Sequence, residues 1–372
     1  MQKRRKQGAP KTKRPPQVAM LREEKPTIAA LTDKRDISSM FLAEIEGAFK
    51  EKELQAFRAK QVYAWLVQGV SSFDEMTNIS KDLRATLAES FDITSLTCLD
   101  KQVSAIDGTV KFLWQLSDGN TVESVWMRQK HGVSICLSTQ VGCRMGCSFC
   151  ASAIGGFVRN LTAGEILGQI QAAEREMDER ISSIVLMGMG EPLDNFDATI
   201  RFLKLVNHAE GKNIGMRHIT LSTSGMIEKI DKLSTYQLQL SLAVSLHGVD
   251  DDTREQLMPI NRKNGVRALL ETCKRYQEKT GRRVSYEYAL IKGINDSPLQ
   301  ARQLAKLMQE VEGHVNLIPL NTVNERKFAG SDEKAVMKFQ SILQTLGVNV
   351  TLRKRKGDDI DAACGQLRQK RN

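Results

Sequence analysis

"VSICLSTQVGCRMGCSFC", residues 133–150, is an apolar strand pattern followed directly by a cysteine cluster. Cys143, Cys147 and Cys150 have the spacing C-x3-C-x2-C and are three of the seven cysteines in the chain. Structural zinc prefers four ligands on two separated knuckles, and the other cysteines are isolated. The ferredoxin run ends in a fourth cysteine before proline, which is absent here. A Cys147–Cys150 redox pair leaves Cys143 unexplained. Three thiolates on a four-iron cluster leave one iron for an exogenous ligand, and the spacing favours this interpretation.

The sequence beyond this stretch alternates short apolar strands with amphipathic helices. Strands this apolar, linked by helical crossovers, predict a parallel sheet covered by helices. We expect an α/β fold with a partial (β/α)6 barrel over residues 133–347 and functional groups at the carboxyl ends of its strands. A doubly wound sheet is the structural alternative. The six predicted strands are "VSICLST", "SSIVLMG", "RHITLSTSG", "LQLSLAVSLHG", "RVSYEYALIKG" and "HVNLIPLN".

Four further regions flank the predicted barrel. Residues 1–37 are expected to be a disordered basic tail, and residues 38–95 a small helical accessory domain that binds RNA. Residues 96–132 are expected to form a β-hairpin linker, because an Asp118-Gly119 turn separates two alternating segments. Residues 348–372 are expected to supply a seventh strand, "VNVTLRKRKG", and then a small-residue loop around Cys364.

Charge and hydropathy restrict the class of protein. The net charge is +10, and the first fourteen residues hold seven basic residues and no acid. The tail is interpreted equally well as an arm that contacts nucleic-acid phosphate or as a solubilising segment. A second basic run, Arg353 to Lys356, favours a polyanionic partner. The sequence has no apolar stretch suited to a membrane span or a secretory signal, so we expect a cytoplasmic protein without membrane contact.

Two motifs together carry a resemblance to a known superfamily. C-x3-C-x2-C after the first strand of a partial barrel, and "LMGMGEPLDN" at residues 186–195 after the second, resemble the radical S-adenosylmethionine (SAM) superfamily. Further stretches are similar to one family within it, the dual-specificity RNA methyltransferases of the RlmN type. These stretches occur in the family's order between about residue 40 and residue 370, and include "FRAKQVYAWL", "ITLSTSG", "VSLHG", "LIPLN" and "DIDAACGQL".

The resemblance implies cofactors and the residues that hold them. One [4Fe-4S] cluster would be bound by Cys143, Cys147 and Cys150, and SAM would be used twice per turnover. The residues that would contact SAM by resemblance are Gly190, Glu191, Ser222, Ser245, Leu246, His247 and Asn321.

The resemblance also implies a reaction, the methylation of carbon 2 of adenosine in 23S rRNA and in tRNA. A methyl group would first move to the sulfur of Cys364. A deoxyadenosyl radical would then take hydrogen from that S-methyl group, and the resulting carbon radical would join the adenine in a crosslink. Cys136 would attack the crosslinked sulfur and leave a transient disulfide, while Glu123 would remove the carbon 2 proton. Without the resemblance, Cys136 is a small core residue and Glu123 a solvated strand residue.

Partners and alternatives complete the expectations. The implied partners are 23S rRNA before ribosome assembly is complete, tRNA, and an electron donor such as flavodoxin, and we expect a monomer. One alternative is a Cfr-like enzyme that methylates carbon 8 of adenosine. A second is an iron-sulfur RNA-binding protein without catalysis, which would leave Cys364 and the Gly-Glu loop unexplained.

Overall fold

The computed structural model describes residues 34–368, and most of the predicted basic tail lies outside the described residues. The strands are β1 Arg35–Asp36, β2 Phe91–Asp92, β3 Thr97–Val103, β4 Val110–Gln115, β5 Thr121–Gln129, β6 Gly132–Cys136, β7 Gln140–Gly142, β8 Phe157–Asn160, β9 Ile181–Leu186, β10 Ile219–Thr223, β11 Ser241–Ser245, β12 Val284–Leu290, β13 His314–Pro319 and β14 Asn349–Leu352. The α-helices are α1 Leu42–Glu51, α2 Ala56–Gln68, α3 Lys81–Ser90, α4 Ala163–Met177, α5 Phe196–Asn207, α6 Ile227–Ser234, α7 Asp251–Leu257, α8 Val266–Thr280, α9 Pro298–Val311 and α10 Glu333–Thr345. Among these helices none has the length and apolarity that crossing a bilayer requires.

The main sheet has ten strands in the order β14-β13-β12-β11-β10-β9-β6-β5-β4-β3. From β6 to β14, each strand of this sheet pairs in parallel with the next one along the chain. Helices α4 to α10 form the crossovers between these strands. A doubly wound sheet reverses its strand order at a switch point, and this sheet does not. The predicted partial (β/α)6 barrel is confirmed.

An antiparallel extension continues the sheet beyond β6. The predicted hairpin is formed by β4 and β5, and β5 pairs antiparallel with β6. The hairpin therefore belongs to the main sheet and does not only link two domains. The sequence did not predict β3, which pairs with β4 and has mostly exposed side chains, because an edge strand lacks the apolar alternation of a covered one.

The first strand of the barrel is shorter than predicted. We expected it to run to Thr139, but β6 ends at Cys136. The chain then turns away, and β7 pairs with β8 in a separate two-stranded sheet. The turn is fixed by Gln169 of α4, whose side chain accepts from Ser138 N–H at 3.0 Å and donates to Ser138 O at 2.9 Å. Cys136 is thus the last residue of the strand.

The helical region has an apolar core of its own. Ile45 and Phe49 of α1 pack with Val62 of α2 and Leu87 of α3, all fully buried. The tail was predicted to extend to residue 37, and this boundary is wrong. Residues 35–36 pair with β2, and Ile37 is fully buried in the helical core, so this part of the chain is folded.

The C-terminal segment, residues 353–368, links the two edges of the main sheet. It leaves edge strand β14 and reaches the loop between β3 and β4. Asp359 accepts there from the Ser104 hydroxyl at 2.6 Å and from Ala105 N–H at 2.9 Å. Gly357 N–H donates to Asp107 Oδ2 at 3.3 Å. The segment therefore spans the open side of the partial barrel.

We expect Asp359→Asn to loosen the C-terminal segment. Ser104 donates to Oδ1 and Ala105 to Oδ2, and in asparagine an NH2 group replaces one of these two oxygens, so one of the two hydrogen bonds is lost in this geometry. Trypsin cleavage within the basic run 353–356 should accelerate about threefold or more as the segment opens locally. Mass spectrometry of timed digests measures this rate. The control is Asp358→Asn, because Asp358 is exposed and its Oδ2 lies 3.7 Å from Arg355 Nη1. Equal cleavage of the two variants would contradict the prediction.

Candidate active site

The loop that carries the cysteine cluster is held in a tight conformation. Gly142 has φ +74°, and a Cβ atom there would lie 1.9 Å from Gly156 O. Only glycine fits such an approach. Cys143 N–H donates to the same carbonyl at 3.0 Å, and Ser148 N–H donates to Leu257 O at 2.9 Å. The loop is therefore fixed between β8 and the end of α7.

The cluster loop forms one wall of a cavity at the carboxyl ends of the parallel strands. The predicted site residues that line the cavity are Cys143, Cys147, Cys150, Gly190, Glu191, Ser222, Ser245, His247, Asn321 and Cys364.

The chemistry of the three thiols fits an iron-sulfur cluster. Burial raises the pKa of Cys143 to about 12, and it also raises the pKa values of Cys147 and Cys150. The thiols therefore need a positive centre to become thiolates, and iron would supply one. Within residues 34–368, no three His, Cys, Asp or Glu side chains converge closely enough to hold a single metal ion. In a cluster each thiolate binds a different iron, so such convergence is not needed.

The Gly-Glu loop after β9 is fixed by the start of the cluster loop. Gly190 has φ +100°, and a Cβ atom there would lie 2.6 Å from Gln140 Cβ. Gln140 Oε1 accepts from Glu191 N–H at 2.8 Å. The Glu191 carboxylate accepts from Ser224 N–H at 2.6 Å and from Leu193 N–H at 3.0 Å. Burial raises the pKa of Glu191, and these hydrogen bonds oppose the rise. The carboxylate thus joins the second and third barrel strands.

The ends of β10 and β11 supply the opposite wall. Ser222 and Ser245 line the cavity, but the side chain of Leu246 is fully buried in the core. Of the residues predicted to contact SAM, Leu246 is the one that does not line the cavity. His247 has φ +54°, and its Nδ1 accepts from Ala289 N–H at 3.0 Å. Burial lowers the pKa of His247 to about 3, so the ring is neutral and Nε2 carries the proton.

Arg254 of α7 ties these strand ends together, and the sequence did not single it out. Its guanidinium donates to Ser224 O at 2.6 Å, Ser245 O at 3.1 Å and Leu246 O at 3.1 Å. A fourth bond of 2.8 Å reaches Asn261 Oδ1. Burial lowers the pKa of Arg254 to about 10, which leaves it charged at neutral pH. Arg254 is therefore a structural support for one wall of the cavity.

Asn321, after β13, joins the cavity to the C-terminal segment. Its Nδ2 donates to Cys364 O at 3.2 Å. Its Oδ1 is buried and has no hydrogen-bond partner within residues 34–368. A buried acceptor without a partner is costly, and a ligand with donor groups would satisfy it. SAM carries an amino group and hydroxyl groups, so the cavity fits it in this respect.

Cys136 and Cys364 both line a second cavity, which shares several lining residues with the first. Cys364 lines both cavities, whereas Cys136 lines only the second. Both are free thiols. Burial and the neighbouring Cys364 raise the pKa of Cys136 to about 12. The two cysteines that the sequence paired by resemblance are thus close in space.

Glu123 is buried, and the default expectation of a solvated strand residue is wrong. It lies on β5, faces inward and is 1 % exposed. Its Oε2 accepts from Arg368 N–H at 2.9 Å, and its Oε1 lies 3.7 Å from Lys111 Nζ. Glu123 lines neither cavity, because the C-terminal segment covers its carboxylate.

Two further charged residues that line the first cavity were not predicted as site residues. Arg353 was interpreted as part of a polyanion-binding run, but it lines both cavities. Glu287 lines the first cavity and is 3 % exposed. A lone acid within the apolar strand "VSYEYAL" was the available signal for Glu287. No local signal separated Arg353 from the basic residues that follow it.

Comparisons with known proteins agree with this geometry. Residues 137–305 match the radical SAM superfamily, and residues 36–93 match the ribosomal RNA large subunit methyltransferase N-terminal domain. A radical SAM methyltransferase of solved structure from Sphaerobacter thermophilus superposes with a TM-score of 0.86 at 42% identity, covering 90% of this chain and 99% of that one.

Two curated relatives carry the name "Probable dual-specificity RNA methyltransferase RlmN". The one from Alkaliphilus oremlandii is 49% identical over 91% of this chain and 98% of its own length. The one from Staphylococcus aureus is 50% identical over 91% of this chain and 94% of its own length. The fold and the superfamily match define a radical SAM enzyme, which implies a [4Fe-4S] cluster and SAM. The chain belongs to the RlmN family of RNA methyltransferases, as the resemblance predicted.

We expect Arg254→Met to weaken SAM binding at least tenfold. The variant leaves buried carbonyls of Ser224 and Ser245 without a donor, at a cost of about 1–3 kcal/mol each. Equilibrium dialysis with reconstituted enzyme, normalised to iron content, measures the affinity. Arg262→Met is the control, because Arg262 is exposed and pairs with Glu255. A dissociation constant within about twofold of wild type would contradict this role.

Proposed function

We propose that this enzyme methylates carbon 2 of adenosine in 23S rRNA and in tRNA through a methylated cysteine and a transient protein-RNA crosslink. The observation that carries the proposal is the meeting of Cys136 and Cys364 at a cavity adjoining the one lined by the cysteine cluster. These two cysteines are distant in sequence, and a cluster protein without catalysis has no need to bring them together.

The acceptor atom decides which chemistry is required. Carbon 2 of adenine is an sp2 carbon that bears hydrogen and is not nucleophilic, so it cannot displace the methyl group of SAM directly. When bound, the cluster and SAM supply both a methyl donor and a radical that removes hydrogen. We assign the cluster to Cys143, Cys147 and Cys150, and we expect SAM to be used twice per turnover.

The two cysteines have different proposed roles. Cys364 lines both cavities and is partly exposed, which suits a nucleophile that must reach the methyl donor and then the adenine. Cys136 is buried at the end of β6 and lines the second cavity. A thiol in that position can attack the sulfur of Cys364, so that the S–S bond forms as the bond from that sulfur to the methylene on the adenine breaks. The methylene then takes up a proton and the methylated base is released.

Glu123 is the proposed base for the proton on carbon 2. Its Oε2 accepts from Arg368 N–H, and Arg368 lies in the same segment as Cys364. Bringing the carboxylate to the adenine requires this backbone group to move away. The buried Lys111 has its Nζ 3.7 Å from Glu123 Oε1. It keeps the carboxylate next to a positive charge when the Arg368 backbone moves away.

The RNA and redox partners follow from charge and chemistry. The basic run that ends at Lys356 lines the second cavity and offers contacts to phosphate, and we assign further RNA contacts to the helical region. The adenine must leave its stack, which favours 23S rRNA before assembly is complete and the loops of tRNA. An electron donor such as flavodoxin would reduce the cluster. We expect a monomer that acts in the cytoplasm, where these RNAs occur.

The identity of the product tests the proposal against its nearest alternative. We expect anaerobic reaction of the reconstituted enzyme with SAM, a reductant and unmodified rRNA or tRNA fragments to give 2-methyladenosine. Nuclease digestion and chromatography against both methyladenosine standards measure it. Recovery of 8-methyladenosine would instead assign a Cfr-like reaction. Formation of neither methylated RNA nor deoxyadenosine would assign a binding protein.

The roles of the two cysteines give a second test. We expect Cys136→Ala to accumulate a covalent adduct with RNA, since no thiol then resolves the crosslink, and Cys364→Ala to form none. Denaturing gel electrophoresis with labelled RNA detects the adduct. Cys98→Ala is the control, because Cys98 lies on edge strand β3 and lines neither cavity. Normal turnover by Cys136→Ala or Cys364→Ala would refute the two-cysteine scheme.

A further inference from the structure

Lys111 is a buried lysine within the apolar strand β4, and its side chain is 4 % exposed. Strand pairing places Lys111 opposite Val125 and Leu113 opposite Glu123. Lys111 and Glu123 are therefore diagonal neighbours on one face of the sheet. Lysine is almost never fully buried unless it is paired. The burial of Lys111 has to be explained by the groups that its ammonium contacts.

The ammonium group contacts the C-terminal segment and the carboxylate at the same time. Lys111 Nζ donates to Asp361 O at 3.2 Å and lies 3.7 Å from Glu123 Oε1. The other carboxylate oxygen, Oε2, accepts from Arg368 N–H at 2.9 Å. Asp361 comes three residues before Cys364, and Arg368 comes four residues after it. Two neighbouring charged side chains thus hold the chain on both sides of this cysteine.

The Cys364 loop, residues 361–368, is held by different partners before and after the cysteine. After it, Ser152 Oγ donates to Leu367 O at 2.6 Å from the chain next to the cluster loop. Before it, the ammonium group of Lys111 is the donor. Hydrogen bonds from a charged donor are stronger than those between neutral groups. Loss of the ammonium group should therefore free the start of the loop.

The proposed reaction brings the sulfur of Cys364 and the carboxylate of Glu123 to one adenine. The carboxylate has to remove the carbon 2 proton while the methylene on the sulfur is joined to the same ring. The two groups lie on different parts of the chain, and displacements of about 1 Å from a reactive geometry slow reactions strongly. An ammonium group that contacts both the loop and the carboxylate fixes their separation.

We propose that Lys111 is a positioning residue that holds the Cys364 loop and the Glu123 carboxylate at the separation that the reaction with adenine requires. This inference rests on the proposed function, in which Cys364 carries the methyl group and Glu123 is the base. The bond to Asp361 O does not involve Arg368. It therefore keeps the loop next to the base when the Arg368 backbone moves away and uncovers the carboxylate.

Hydrogen exchange of the Cys364 loop tests the inference without RNA or SAM. Reconstituted full-length enzyme is exchanged anaerobically, and mass spectrometry follows peptides from the loop and from α9. We expect Lys111→Met to accelerate exchange of the loop about fivefold or more and to leave α9 within about twofold of wild type. Lys111→Arg keeps a charged donor, so its loop should exchange more slowly than that of Lys111→Met.

Two further variants separate positioning from general destabilisation. Lys101→Met on the neighbouring strand β3 should leave loop exchange unchanged, because Lys101 Nζ donates to Glu176 O at 2.9 Å. The double variant Lys111→Met, Glu123→Leu replaces both buried charges by apolar groups, a change that folded proteins often tolerate. Its loop should still exchange rapidly, since neither side chain then holds it. The double variant keeps the inference testable if Lys111→Met fails to fold.

The reaction with RNA gives a readout that a purely structural role would not move. In the Cys136→Ala background, Lys111→Met should slow formation of the RNA adduct at saturating RNA at least about tenfold. The dissociation constant for RNA should change by less than about twofold, since the buried ammonium group does not contact RNA. Lys111→Arg should recover part of the adduct rate.

The outcomes separate the inference from the proposed function. Unchanged loop exchange in Lys111→Met, wild-type protection in the double variant or an unchanged adduct rate would each overturn the role of Lys111. Weaker RNA binding with an unchanged rate at saturating RNA would make Lys111 an RNA contact, and the inference would be wrong. If the exchange pattern held while wild-type enzyme methylated no RNA, Lys111 would still hold the loop and the proposed function would fail.

Discussion

Backbone hydrogen bonds hold seven strands, β6 and the six from β9 to β14, parallel to one another and in chain order. The positions of the candidate groups depend on this arrangement. Parallel pairing brings the carboxyl ends of these strands to one rim. The cluster loop follows the first strand and the Gly-Glu loop the second, while Ser222 and Ser245 lie at the ends of the third and fourth. Residues far apart in the chain therefore meet in one cavity. A register shift of one residue would turn such side chains to the other face of the sheet.

Burial of charge is the second organising feature of the site. Thiols, carboxylates and guanidinium groups lie in or behind the cavity walls, and each loses hydration there. Arg254 recovers that loss through four hydrogen bonds to oxygen atoms. Glu191 recovers it through two backbone N–H groups. Arg254 opposes the rise in the pKa of Cys147 and Arg326 opposes that of Cys150, but burial outweighs both cations. The raised pKa values of the cluster thiols match a site whose positive charge would come from bound iron.

The C-terminal segment couples three parts of the molecule. Asp359 fixes it to the loop between β3 and β4, Asn321 holds the carbonyl of Cys364, and Arg368 covers Glu123. Ala151 N–H, next to the cluster loop, also donates to Gly365 O at 2.7 Å. A displacement of the segment would therefore change the cluster surroundings, the position of the Cys364 sulfur and the exposure of the Glu123 carboxylate together.

The sequence by itself determined the barrel, the cluster loop and the family, because these depend on local apolar patterns, glycine positions and closely spaced motifs. Through the family resemblance it also indicated ten of the residues that line the first cavity. Only the tertiary structure decided that Glu123 is buried beside Lys111, that Arg254 supports two strand ends and that Arg353 faces inward. The physical reason is that burial and charge pairing are set by side chains from distant strands, and a single strand's pattern does not record which neighbours it will meet.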